Sequence, residues 1–284
     1  MPTAGRLARA AIALASVGLV VVILLPMGLR GTGLVVLALL GVPLVSSAAS
    51  RAGWRAAAPW AVYLGAVTVF GVGRAYADNW GPPAYAGYVI WLDRLLGLGE
   101  VPTLALQRWL YDPAAHDLLD RLIPLIYLSY FLVPMGTAWW LWRRHPAVVP
   151  TYLYATTGLL LVVLPFHVLI PTVPPWLAGQ TGELPHVARV AIDVLNRDAQ
   201  AVYSVGTAIS ANDVAAMPSV HMGASWLVAL ACRAGRWAMV LGYAYAAAML
   251  FTIVYSGEHY LADALAGMLL AWAAWWFADR LTPR

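Results

Sequence analysis

The chain has 284 residues, of which 62% are apolar and only 11% charged, and its mean hydropathy is +0.74. A water-soluble domain needs more charge than this to cover its surface, so the composition points to an all-α, polytopic membrane helical bundle. The formal net charge of +4 comes entirely from arginine, because the sequence has no lysine. The arginines stand beside apolar segments and not in a nucleic-acid-binding run, so no nucleic-acid partner is expected. Cys232 is the only cysteine, which excludes an intrachain disulfide and leaves the redox compartment unread.

Eight segments approach the ~20 residues needed to cross a bilayer. They are Ala10–Leu29, Gly33–Ala49, Ala56–Val72, Leu122–Trp142, Val148–Ile170, Ala215–Cys232, Trp237–Val254 and Tyr260–Ala278. The first follows Arg6 and Arg9 and reads as a retained span, not a signal peptide. Arg6/Arg9, Arg51/Arg55, Arg143/Arg144, Arg233/Arg236 and Arg280/Arg284 fall on one side of the alternation, and Arg30 stands alone in the short connection on the other. Short Arg-rich connections belong in the cytoplasm. The expectation is an integral plasma-membrane protein with cytoplasmic termini. Two long connections, Tyr76–Arg121 and Pro171–Val214, then face outward. The first carries Trp91–Leu96 and Leu104–Leu110, amphipathic pieces suited to the interface. The second opens on Pro171-Thr172-Val173-Pro174-Pro175-Trp176, which cannot continue a helix, and then offers a helical stretch from His186 to Arg197.

Two strings carry the chemistry, Met217-Pro218-Ser219-Val220-His221 and His259-Tyr260-Leu261-Ala262-Asp263. Each stands at the head of an apolar segment, with one further segment between them, so both histidines should reach the same membrane face. His259 and Asp263 are four apart, one helical turn on one face. Asp263 is placed to accept the Nδ1 proton of His259 and leave Nε2 with an exposed lone pair, the form a nucleophile or general base needs. A carboxylate just inside a span is costly unless it is paired. Pro218 sets a helix entry, Ser219 suits its cap, and the free amides beyond favour an anion. Two histidines and an acid suffice for phosphoryl transfer without a metal. A zinc site on His221 and His259 has no His-Glu-x-x-His pattern behind it. No metal or other cofactor is expected.

Together the strings resemble signatures of the type-two phosphatidic acid phosphatase superfamily. Pro218-Ser219-Val220-His221 resembles the second signature, and His259 to Asp263, with Gly267 behind, the third. Tyr260, the preceding Tyr255-Ser256-Gly257-Glu258 and the loop Pro171–Trp176 are closer to the branch of inositol phosphorylceramide and sphingomyelin synthases. The resemblance implies a six-helix core over residues 51–284, with residues 1–50 adding two accessory helices. It also implies His259 as nucleophile, Asp263 as its orienting partner and His221 as general acid. The implied substrate is a membrane lipid phosphoester. The acceptor is water or an alcohol such as a polyol or lipid hydroxyl. Oligomeric state is left open.

The chain departs from the phosphatase branch in two places. The first signature of that branch carries a lysine, which is absent here, and Thr252-Ile253 stand where its third signature has Ser-Arg. Arg74, at the outer end of the third segment, is the candidate phosphate ligand, with Ser219 beside it, because a guanidinium fork suits phosphate oxygens. His167 reads as a packed interfacial residue, and Asp78, Asp213 and Glu258 as solvated groups or hydrogen-bond organisers. The rival readings are a lipid or polar-solute transporter and a catalytically inactive lipid-binding relative. Spans nearly free of charge away from their ends argue against the first, and the intact His/His/Asp set argues against the second.

Overall fold

The computed structural model describes residues 2–24, 32–115, 117–198 and 213–282. Among these the chain is helical, with no strand and a single isolated parallel bridge between Thr172 and Ala215. The helices are α1 Pro2–Leu24, α2 Thr32–Ala49, α3 Trp54–Trp80, α4 Gly87–Leu96, α5 Pro102–Leu110, α6 Leu118–Ser129, α7 Val133–Arg144, α8 Val149–Leu169, α9 Pro175–Thr181, α10 Val190–Asp198, α11 Val220–Cys232, α12 Arg236–Tyr255 and α13 Leu261–Leu281.

Each of the eight predicted segments contains helix. Among the described residues five helices (α1, α3, α8, α12 and α13) are long and apolar enough to cross a membrane. A sixth span arises if α6 and α7 count as one, and α2 and α11 hold shorter apolar stretches.

The boundaries differ from expectation where proline intervenes. The predicted single span Leu122–Trp142 is the pair α6–α7, bent by 54°. Pro134 in the first turn of α7 explains the break, since proline has no N–H to continue the preceding turn. The predicted span from Ala215 begins as helix only at Val220. Pro218 disfavours helix at Met217, and Thr172 takes up this stretch instead, its N–H donating to the Val214 carbonyl and its carbonyl accepting the Ala216 N–H. The stretch expected to be helical from His186 starts at Val190, and α3 runs past Val72 to Trp80. Leu29, Arg30 and Arg284 lie outside the described residues.

α11 sits centrally, against α12, α13, α8 and α7. Trp60, Tyr152, Leu153, Leu159 and Leu227 fill the main core, and α1 and α2 add Ala13, Leu40 and Leu44 to it. α3, α8 and α12 finish at the end of the bundle where α11 and α13 begin. A second core of Val89, Ile90, Val101, Val173, Trp176 and Tyr260 binds the short helices α4, α5 and α9 to that end. At the opposite end Arg9 Nε donates to the Ala48 carbonyl at 3.0 Å, and Thr151 and Thr282 share a 2.7 Å hydroxyl bond. The helix ends carrying Arg51, Arg55, Arg144, Arg233, Arg236 and Arg280 gather there.

Candidate active site

Ser219 caps α11. Its Oγ accepts the Met222 N–H at 3.2 Å, and its own N–H donates to the Asp263 carbonyl at 3.0 Å. The second bond docks the first turn of α11 onto the first turn of α13. Gly267 makes this approach possible, because a Cβ there would lie 2.1 Å from the Ser219 carbonyl oxygen. Ser219 is fully buried and its hydroxyl oxygen serves the cap.

His259 lies in the turn between α12 and α13. Gly257 has φ of 75° in that turn, a region glycine enters at no steric cost, and a Cβ there would meet the Ala188 carbonyl. The Trp176 N–H donates to the Gly257 carbonyl and the His259 N–H to that of Ile253, both at 3.0 Å. The imidazole is thereby held against two partners. His259 Nδ1 is 3.3 Å from Asp263 Oδ2, and His259 Nε2 is 3.1 Å from His221 Nδ1. A carboxylate only accepts, so Nδ1 of His259 carries the proton toward Asp263, and its Nε2 lone pair accepts from His221. His221, His259 and Asp263 thus form one hydrogen-bonded line at adjoining helix starts, with Asp263 fully buried.

The family model described as the PAP2 superfamily matches residues 88–277. The chain belongs to the PAP2 superfamily. No curated protein and no solved structure matches it. The matched region takes in α4 to most of α13 and holds His221, His259 and Asp263, while α1 to α3, with Arg74, lie before it.

Around the line of three, this PAP2 chain adds groups that the sequence reading missed. Tyr127 stacks on His221 with ring centroids 4.8 Å apart, and Tyr130 lies tilted against it at 4.4 Å. Both belong to the C-terminal end of α6, so the break before α7 falls beside His221. No local pattern marks these tyrosines. Arg74 is within electrostatic reach of His221, His167, Tyr127 and Tyr130. His167 is buried, and its Nε2 donates to the Pro218 carbonyl at 3.2 Å, which steadies the entry to α11. Ile253 is fully buried in α12.

Glu258 is an organiser and not a solvated acid. Arg189 binds it through Nε at 2.7 Å and Nη2 at 3.3 Å, with the guanidinium 4.2 Å over the Trp176 ring. Gln107 of α5 accepts the Ala188 N–H and donates to the Ala188 and Tyr255 carbonyls at 2.8–2.9 Å. Asp93 of α4 accepts the Ala262 N–H at 2.7 Å. The cap therefore grips the His259 turn from both sides. These partners are 69 to 169 residues apart in sequence. The side chain of Asp78 lies outside the described residues, and Asp213 is engaged in interactions of its own. Among the described residues no group of three or more His, Cys, Asp or Glu is arranged to hold a metal ion.

Proposed function

We propose that the chain is a membrane-embedded lipid phosphatase or phosphotransferase that works through a phosphohistidine on His259. The observation that carries this reading is the line His221–His259–Asp263, with contacts of 3.1 and 3.3 Å. A phosphoryl group entering the site parts the two imidazoles. The Nε2 lone pair of His259 bonds to phosphorus and the ester P–O bond breaks. The departing alkoxide takes a proton from the His221 imidazolium, which becomes neutral, and leaves as the alcohol. Water or an acceptor alcohol then gives its own proton to His221 as its oxygen attacks phosphorus, and the P–N bond returns its electron pair to His259. Nδ1 of His259 keeps its proton throughout, donated to the Asp263 carboxylate. Phosphoryl transfer asks the protein mainly for positioning and charge stabilisation. Arg74, already within electrostatic reach of His221, is the proposed source of the charge, in place of the signature lysine and arginine that are absent.

Transfer to an alcohol, in the manner of the inositol phosphorylceramide and sphingomyelin synthases, is the finer form of this reading. Tyr255-Ser256-Gly257-Glu258 and Pro171–Trp176 favour it. Incubating the purified protein with labelled lipid phosphates and phosphatidylinositol, with and without candidate alcohols, tests it. Label in a new ester supports transfer, and inorganic phosphate alone supports hydrolysis. No turnover of any of them contradicts both. The Arg-rich end is proposed to face the cytoplasm and the histidine end the outside. In a Cys232→Ser background, a cysteine at Thr181 should then label from outside and one at Arg144 only from inside. The reverse pattern contradicts the orientation.

A further inference from the structure

Asp93 stands on α4 in the cap and is fully buried. The amide it accepts, that of Ala262, is the second of α13, whose own N-cap residue, Tyr260, makes no side-chain cap bond. Asp93 thus does for α13, from 169 residues away, what Ser219 does locally for α11. A neutral Ser or Asn caps a helix as well as Asp does, so capping alone does not call for a carboxylate here. Ala262 is followed directly by Asp263, and the two carboxylates are close enough to interact. Tyr260, also fully buried, lies within reach of both. Among the described residues, neither Tyr260 Oη nor Asp93 Oδ2 has a hydrogen-bond partner. A buried acid set behind another is costly in stability, which points to a use for the charge.

We propose that Asp93 is a positioning residue of the histidine centre: it holds the first turn of α13 so that Asp263 meets His259, and it sets a second carboxylate behind Asp263. This rests on the reading of His259 as the nucleophile. When its Nε2 bonds to phosphorus and the P–O bond breaks, the ring becomes a cationic N-phosphoryl imidazolium with Nδ1–H still on Asp263. No proton passes to Asp93. A second carboxylate close enough to interact with Asp263 favours that cation over the neutral imidazole. Burial pushes the Asp93 carboxyl up to about 6, the Ala262 bond opposes the rise and the Asp263 charge adds to it. Asp263 and Tyr260 at the start of α13, Glu183 after α9 and Tyr88 on α4 are the titratable groups around this cluster. On α5, Arg108 is taken up by Glu100 at 2.7 Å on the exposed side. The second charge is therefore present above pH ~6 and lost below it.

Asp93→Asn keeps an oxygen for the Ala262 N–H and removes the charge, whereas Asp93→Ala removes both. With a lipid phosphate that the wild type turns over, Asp93→Asn is expected to lose roughly tenfold in kcat above neutral pH. It should also lose the ionisation near pH 6 from its pH profile, and Asp93→Ala should fall further. A readout independent of turnover is the carboxyl carbon-13 titration of Asp93 in selectively labelled protein, wild type against Asp263→Asn. The Asp93 midpoint should move down when the neighbouring charge is removed. An unmoved midpoint overturns the proposal, and so does an Asp93→Asn enzyme with the wild-type rate and profile. A midpoint that moves in a protein that turns over no phosphoester leaves the two acids coupled but overturns the reading of His259 as nucleophile.

Discussion

Gly267→Ala tests the docking of α11 on α13 at its closest point. The added Cβ would stand 2.1 Å from the Ser219 carbonyl oxygen, 3.0 Å from its carbon and 3.3 Å from its nitrogen. These are backbone atoms, so no flexible side chain can give way. Restoring contact distance requires the two helix starts to separate by roughly 1 Å. The Ser219 N–H bond to the Asp263 carbonyl, 3.0 Å long, is lost in that movement. Overpacking of this kind costs about 1–3 kcal/mol and the lost bond about 1 kcal/mol more. The same displacement draws His221 from His259, and a 1 Å misplacement at a reacting centre costs on the order of 10²-fold in rate. Gly158→Ala is the control, since its Cβ would meet only the Ala274 Cβ at an ordinary 3.7 Å. Turnover and thermal unfolding in detergent should show Gly267→Ala losing both activity and stability, and Gly158→Ala neither. A Gly267→Ala protein with wild-type rate and melting temperature would mean that the close approach of α11 to α13 does not set the site.

Asp263→Asn should fold but allow the wrong His259 tautomer, with turnover down by ~10³–10⁴ if the analogy with an orienting triad aspartate holds; a loss under tenfold removes Asp263 from that role. Arg74→Ala should depress turnover strongly and Arg74→Lys should not restore it, because a point charge lacks the guanidinium fork; a near-normal rate in Arg74→Ala takes Arg74 out of the site, and one in Arg74→Lys removes the need for the fork. The Asp93 carboxyl, raised from 3.8 to about 6, stabilises the fold fully only below pH ~4, and that contribution is lost as pH rises to ~6. At 1.36 kcal/mol per unit the loss is about 3 kcal/mol, so Asp93→Asn should melt progressively higher than wild type from pH 4 to 6 and keep a constant advantage above; a constant difference over the whole range contradicts the buried acid.

The His259–Asp263 contact is a matter of local spacing, four residues on one helix face, and needs no tertiary knowledge. The meeting of His221 with His259 follows from two helix starts separated by one intervening span. Arg74 was legible only as the charged residue near the end of an apolar run. The bend between α6 and α7 was written in Pro134 but masked by the apolar composition around it, which reads as one continuous span. Tyr127, Tyr130, Asp93, Gln107 and Arg189 were not legible. Each acts on a partner far along the chain. Aromatic and polar residues in short helices have the same local pattern whether they face lipid, water or a buried histidine.

The mechanism turns on a phosphoryl group carried on His259. The direct measurement is rapid quench of the enzyme with a labelled phosphoester, followed by mass spectrometry for acid-labile, base-stable phosphate. His221→Ala with an aryl phosphate should let the adduct accumulate, because a good leaving group departs without a proton while the second step lacks its base. Label is expected on His259 in the wild type and in His221→Ala, and none in His259→Ala. Label on His221, or no label in His221→Ala while the aryl group is still released, contradicts it.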